Sequence, residues 1–167
     1  MKKMSKGEVA LLSSIAAWVM VVNIALILLG IGHGWTVFFA NIFFFLLGAD
    51  IRRWKELLFG GLFGLFAAWL LVVSMGVLTP VLGPLAAVVL PLTLIVFFMI
   101  VCGPLFPWIC NNVAFGFLTI ATINMETLVE NTLPAMAVFV VGGTVMVGGS
   151  YLILRLFTKK AAAAANQ

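Results

Sequence analysis

Four asparagines interrupt stretches that are otherwise hydrocarbon: Asn23, Asn41, Asn111 and Asn112. A primary amide carries two donor hydrogens and two acceptor lone pairs. In an apolar medium it must satisfy them, because a bare amide there costs about 2–7 kcal/mol. Two kinds of chemistry follow. The amides act as interhelical glue, or they line a path and take over hydrogen bonds from a passing solute. Asn41 and Asn112 stand out because each lies on an unusually short apolar segment. Thr119 and Thr122 extend the polar face of the second of these.

Groups suited to acid–base or covalent chemistry are few. The one histidine, His33, sits in a Gly-His-Gly turn. It reads as a solvated turn residue or as a titrating group at a pore mouth. Asp50 and Glu56 flank Arg52, Arg53 and Lys55, a grouping that suits a charged gate, a site for anionic lipid head groups, or a plain topology anchor. No carboxylate pair, nucleophile–base arrangement, metal-ligand spacing or cofactor motif accompanies them. Cys102 and Cys110 read as small apolar fillers. The expectation is a protein that is not an enzyme, with no catalytic residue, metal or cofactor.

These residues must be held by membrane helices. Of 167 residues, 65% are hydrophobic and 8% charged, and mean hydropathy is +1.29. A soluble domain is about 25% charged, so lipid is the expected solvent. Six apolar segments can be marked: about Val9–Ile31, Trp35–Ala49, Glu56–Leu78, Leu82–Cys102, Pro107–Ile123 and Leu133–Phe157. Turns are expected at Gly32-His33-Gly34, at Thr79-Pro80 and at Gly103-Pro104. The first segment is too long for the roughly 7–15-residue core of a signal peptide and reads as an uncleaved helix. Residues 1–160 form a single transmembrane domain, and the alanine-rich tail 161–167 is expected to fray.

Charge fixes the expected orientation. All nine Lys and Arg fall in three clusters, Lys2/Lys3/Lys6, Arg52/Arg53/Lys55 and Arg155/Lys159/Lys160. Six crossings with both termini in the cytoplasm put every one of them inside, as basic residues prefer. Glu126 and Glu130 then fall outside. The clusters flank apolar segments, which argues for a bilayer partner and against nucleic acid. A bacterial inner membrane is the expected location.

The halves also match at an offset of 73–74 residues. Trp35 pairs with Trp108, Asp50 with Asn124, Glu56 with Glu130 and Gly60 with Pro134. Three-helix copies insert with opposite orientation, so the all-α fold is expected to contain two inverted repeats, a recurring plan in transport folds. The competing account is that interfacial tryptophans and helix caps recur in any membrane protein. Gly60 and Gly64 form a GxxxG pair, and Gly142 and Gly143 provide a second thin strip. Both are expected to pack helices closely, within the chain or between copies.

The string GWTVFFANIFFFLLGADIRRWKELLFGGLFGLFAAWLLVV, with its echo PLFPWICNNVAFGFLTIAT and LVENTLPAMAVFVVGGTVMVGGSY, resembles a family of small bacterial inner-membrane proteins of unassigned function. It is more distantly similar to the membrane half of fusaric-acid-resistance-like exporters. The resemblance implies a transport-related membrane protein and carries over no substrate. Two functions are therefore expected from the sequence. One is a channel or facilitator for a small neutral or weakly ionised solute, acting as a homo-oligomer. The other is a non-transporting scaffold or accessory subunit, in which the amides pair inside the protein.

Overall fold

The structure, a computed structural model, describes residues 5–123 and 125–165, with backbone alone described for 125–130 and 161–165. The described residues form five helical elements joined by short turns and no strand. Helix α1 spans Lys6–Leu28, α2 Gly34–Leu46, α3 Trp54–Cys102, α4 Asn112–Ile123 and α5 Met125–Ala165. A single 3-10 turn, Ile51–Arg53, leads into α3.

Local sequence sets the ends. Ser5 and Glu8 form a capping box: Glu8 N–H donates to Ser5 Oγ at 3.2 Å and Ser5 N–H to Glu8 Oε2 at 2.7 Å. At its far end α1 closes through Gly30, whose φ is +63°. Gly30 N–H reaches Ile27 O at 3.0 Å, and Ile31 N–H reaches Leu26 O at 2.9 Å. Gly48 ends α2 in the same way, with φ +80° and bonds from Gly48 N to Phe45 O and Ala49 N to Phe44 O. Both are left-handed glycine caps that satisfy the last carbonyls of a helix.

Helix α3 is two helical arms folded back on one another. Gly83, with φ 79° and ψ 165°, divides it into arms 54–82 and 84–102. A straight helix would hold Phe63 and Phe98 roughly 50 Å apart at about 1.5 Å per residue. Their ring centroids lie 6.3 Å apart. The turn expected at Thr79-Pro80 is thus displaced: those residues are helical, and the break falls at Gly83-Pro84. The residue before a proline is driven out of the α region, and glycine alone takes up the positive φ without strain. Pro80 stays in the helix at the cost of one backbone bond, since its nitrogen has no hydrogen to donate to Gly76 O. The fifth segment also starts late. Pro107 to Asn111 form turns, and the helix begins at Asn112. Of the tail 161–167, the backbone of 161–165 continues α5, and Asn166 and Gln167 lie outside the described residues.

The chain divides into two compact units, residues 1–51 with 138–167, and residues 52–137. In the first unit α1, α2 and the 138–165 part of α5 meet around Val22, Leu26, Val37 and Met146, with Trp18, Val19 and Val138 against them. In the second unit α4 lies against α3, with Leu57, Leu65, Val113 and Phe117 buried. Three helical stretches are long and apolar enough to cross a membrane: Lys6–Leu28, Ile51–Cys102 and Asn131–Lys160. Their outer faces carry large exposed apolar side chains, Leu28 at 80% and Leu85 at 78%. Exposed apolar surface on this scale exceeds what a soluble monomer presents and suits a hydrocarbon solvent.

Candidate functional site

Asn41 lies in the middle of α2 and is 6% exposed. Ser150 Oγ, fully buried on α5, donates to Asn41 Oδ1 at 2.9 Å. The two helices approach closely because α5 presents glycines here. A Cβ at Gly142 would lie 2.5 Å from Val37 Cγ2, and one at Gly143 would lie 3.1 Å from Ala40 Cβ. A turn further on, Gly149 makes room for the Trp18 indole, whose Nε1 donates to Met146 O at 2.9 Å. The first unit thus joins Asn41, Gly142 and Gly143 in one seam, with Ser150 and Trp18 as members that sequence reasoning did not select. Ser150 carried a usable signal: it follows Gly148-Gly149 on the thin strip of the sixth segment.

The second unit repeats the pattern with different polar chemistry. Asn111 caps α4, its Oδ1 accepting from Val113 N at 2.9 Å and Ala114 N at 3.1 Å. Its Nδ2 donates to Glu56 O and Pro107 O, both at 3.1 Å. All four hydrogen-bonding positions of this amide are used on backbone. Gly60 faces the Asn111 side chain, and Gly64 faces the Ala114 carbonyl and Phe117. In both units the short helix and the glycine-bearing helix run parallel. Residue numbers rise together from Val37–Gly142 to Asn41–Ser150, and from Gly60–Asn111 to Gly64–Phe117.

Asn112 and Thr119 sit elsewhere on α4. Seven residues apart, they share one face of a helix, and both are exposed. Gly116 lies between them at half-burial, and Thr122 continues the line, donating to Thr119 O at 2.6 Å. Thr119 Oγ1 donates to Phe115 O at 2.9 Å, which leaves its lone pairs available. The opposite face buries Val113, Ala114, Phe117, Leu118 and Ala121. The outward side also carries Phe115 and Ile120, half-buried, and Ile123, 78% exposed, so the polar residues form a stripe within a mixed outer face.

The other candidates are local. Asn23 Nδ2 donates to Val19 O at 2.9 Å, one turn back on α1. His33 is half-buried and left-handed, with φ 62°. Its carbonyl accepts from both Thr36 N and Thr36 Oγ1 at 2.9 Å, so its backbone serves as the entry to α2. Asp50 is exposed. Glu56 is held by Arg53 through a forked contact, Nε to Oε1 at 3.0 Å and NH2 to Oε2 at 2.5 Å. Such a surface pair contributes about 0–1 kcal/mol. Asn124 lies outside the described residues, as do the side chains of Glu126 and Glu130. No family model, curated protein or solved structure matches the chain.

Proposed function

We propose that this chain is a six-crossing protein of the bacterial inner membrane, with both termini cytoplasmic, that eases passage of a small neutral or weakly ionised solute. The outward face of α4 carries this reading. A stripe of Asn112, Gly116, Thr119 and Thr122 on a membrane helix needs either water or another polar surface against it. A second copy of the chain closes the path, which makes the working form a homo-oligomer.

Helix length and direction support the proposal. At about 1.5 Å per residue, the 13 residues of α2 and 12 of α4 reach roughly two thirds of a hydrocarbon core about 30 Å thick. Non-helical backbone at that depth is tolerated where protein or a wet cavity surrounds it. Short segments at matching positions of two halves are a pointer to a transport site. Six crossings with the N-terminus inside also make the second and sixth helices parallel, and likewise the third and fifth, as the glycine contacts require. Each unit then holds one copy of every position in a three-helix repeat: first, second and sixth in one, fourth, fifth and third in the other. The repeats are inverted and exchange their glycine-rich helices.

The test is solute entry into proteoliposomes, screened over small uncharged metabolites. Asn112→Leu with Thr119→Val should reduce flux of the active solute at least tenfold while the protein keeps its elution profile. Equal flux in wild type and variant removes the α4 face from the path.

The scaffold reading has its own support. The Asn41–Ser150 pair is sealed, and Asn111 is saturated by backbone. Cysteines at 112 and 119 decide between the two. Labelling by a small water-borne thiol reagent favours the path, and protection of both favours the scaffold.

A further inference from the structure

The arms of α3 enclose an apolar groove of about 380 Å³, lined by Phe63, Phe66, Ala67, Leu94, Ile95 and Phe98. Its size falls within the range of ligand sites, about 300–1,000 Å³. Several of its walls face outward: Leu94 is 67% exposed, and Phe98 and Phe66 are also exposed. Among the described residues of this unit, no side chain fills it.

The same face of the first arm changes character along its length. Lys55, Phe59, Phe63, Phe66 and Leu70 follow each other at intervals of four, four, three and four residues, which places them on one side of the helix. Arg52, three residues before Lys55, extends that line at its start, and both cations are exposed. Arg53 and Glu56, paired to each other, lie off to the side. Next comes an aromatic layer, where Phe59 meets Trp108 edge to face at 5.2 Å and both rings are partly exposed. The groove follows, beginning roughly 12 Å beyond Lys55 at about 1.5 Å per residue. Cation, aromatic ring and hydrocarbon in that order match the depth profile of one bilayer leaflet, with aromatics at head-group level.

We propose that this face binds one anionic phospholipid of the cytoplasmic leaflet, its phosphate at Arg52 and Lys55 and one acyl chain in the groove. The inference rests on the orientation proposed above, which puts residues 52–55 at the inner membrane surface. It does not depend on solute transport. Of the three cations and two carboxylates in segment 50–56, Arg52 and Lys55 are the cations on the groove face.

Purified protein in detergent is equilibrated with equal amounts of phosphatidylglycerol and phosphatidylcholine of identical chains, and retained lipid is counted by native mass spectrometry. Wild type should keep one lipid and prefer phosphatidylglycerol by roughly fivefold or more, given the attraction of each basic residue near a charged surface. Leu94→Trp should fill the groove and abolish retention of both lipids, and the milder Leu94→Phe should weaken it. Arg52→Gln with Lys55→Gln should retain a lipid and lose the preference. Arg155→Gln with Lys159→Gln should change nothing. Retention insensitive to both Leu94 variants overturns the groove. A preference that falls equally with the Arg155 and Lys159 change shows bulk charge and overturns the head-group site. Complete displacement by palmitate at equal concentration does the same. A cysteine at Lys55 labelled from outside the cell would refute the orientation instead, and absent solute flux would leave the lipid result standing.

Discussion

Asn41 and Ser150 form a hydrogen bond inside hydrocarbon-like packing, and its worth is bounded by what replaces it. Removing the hydroxyl leaves an acceptor without water to turn to. In membranes such pairs average about 0.6 kcal/mol and reach about 2 kcal/mol, because the unfolded reference also finds partners. Ser150→Ala and Asn41→Leu should each lower stability by about 1–2 kcal/mol. The double variant should cost less than their sum, with a coupling of about 0.6–2 kcal/mol, measured by reversible unfolding in mixed micelles. Zero coupling would mean the pair contributes nothing specific. Asn111 behaves differently, since its amide caps a helix. Asn111→Ala should cost about 1–2 kcal/mol, and Asn111→Asp should recover part of that, because a carboxylate still accepts from Val113 and Ala114 N–H.

Between elements, glycine decides where two helices touch. A Cβ at Gly64 would sit 2.7 Å from Phe117 Cβ and closer still to the Ala114 carbonyl, a backbone atom that cannot turn aside. Gly64→Ala should therefore separate α4 from α3 and destabilise by about 1–3 kcal/mol. Gly76, on the same arm, has nothing within 4 Å of such a Cβ. Gly76→Ala should be neutral or stabilise by up to about 1 kcal/mol through helix propensity. Thermal unfolding of the two variants side by side checks the contrast; equal effects would show that close contact is not what Gly64 provides. The break in α3 belongs to this scale too. Both a Thr-Pro step and a Gly-Pro step lie within five residues of each other, and either is a plausible bend in one dimension. The Gly83 step takes it because Gly83 reaches φ 79° without a side-chain penalty, whereas Thr79 can stay helical and bond Met75 O at 2.6 Å.

For the whole molecule, the governing quantity is the distribution of nine cations along the chain. Each is costly to translocate, and that cost is the ground for the proposed orientation, which keeps all of them inside. In a background with Cys102 and Cys110 replaced by serine, His33→Cys should react with an impermeant thiol reagent in intact cells. Arg52→Cys and Lys160→Cys should react after permeabilisation alone. Reaction of Arg52→Cys in intact cells would remove the six-crossing count. The path proposed along the polar stripe of α4 belongs to this scale too. The described chain holds no titratable carboxylate at mid-segment between Leu57 and Ile123, so a path there has amides and hydroxyls to offer and a strong ion has no counter-charge.

The sequence alone determined the helical class, the apolar segments, the clustering of charge and the residue types able to hydrogen-bond in hydrocarbon. These are properties of a one-dimensional pattern measured against a planar slab, and they need no knowledge of neighbours. Segment edges near Pro107 and Thr79 were less legible, because each depends on which of several adjacent breakers yields. The tertiary structure decided the partners. It set Asn41 against Ser150, 109 residues away, filled Asn111 with backbone bonds, and left Asn112 and Thr119 on the outer face. Those outcomes follow from which helix side meets which distant helix, and glycines about fifty or a hundred residues off control that approach. Two asparagines adjacent in sequence therefore end with opposite roles: Asn111 turns into the seam with α3, and Asn112, a hundred degrees around the helix, turns away from it.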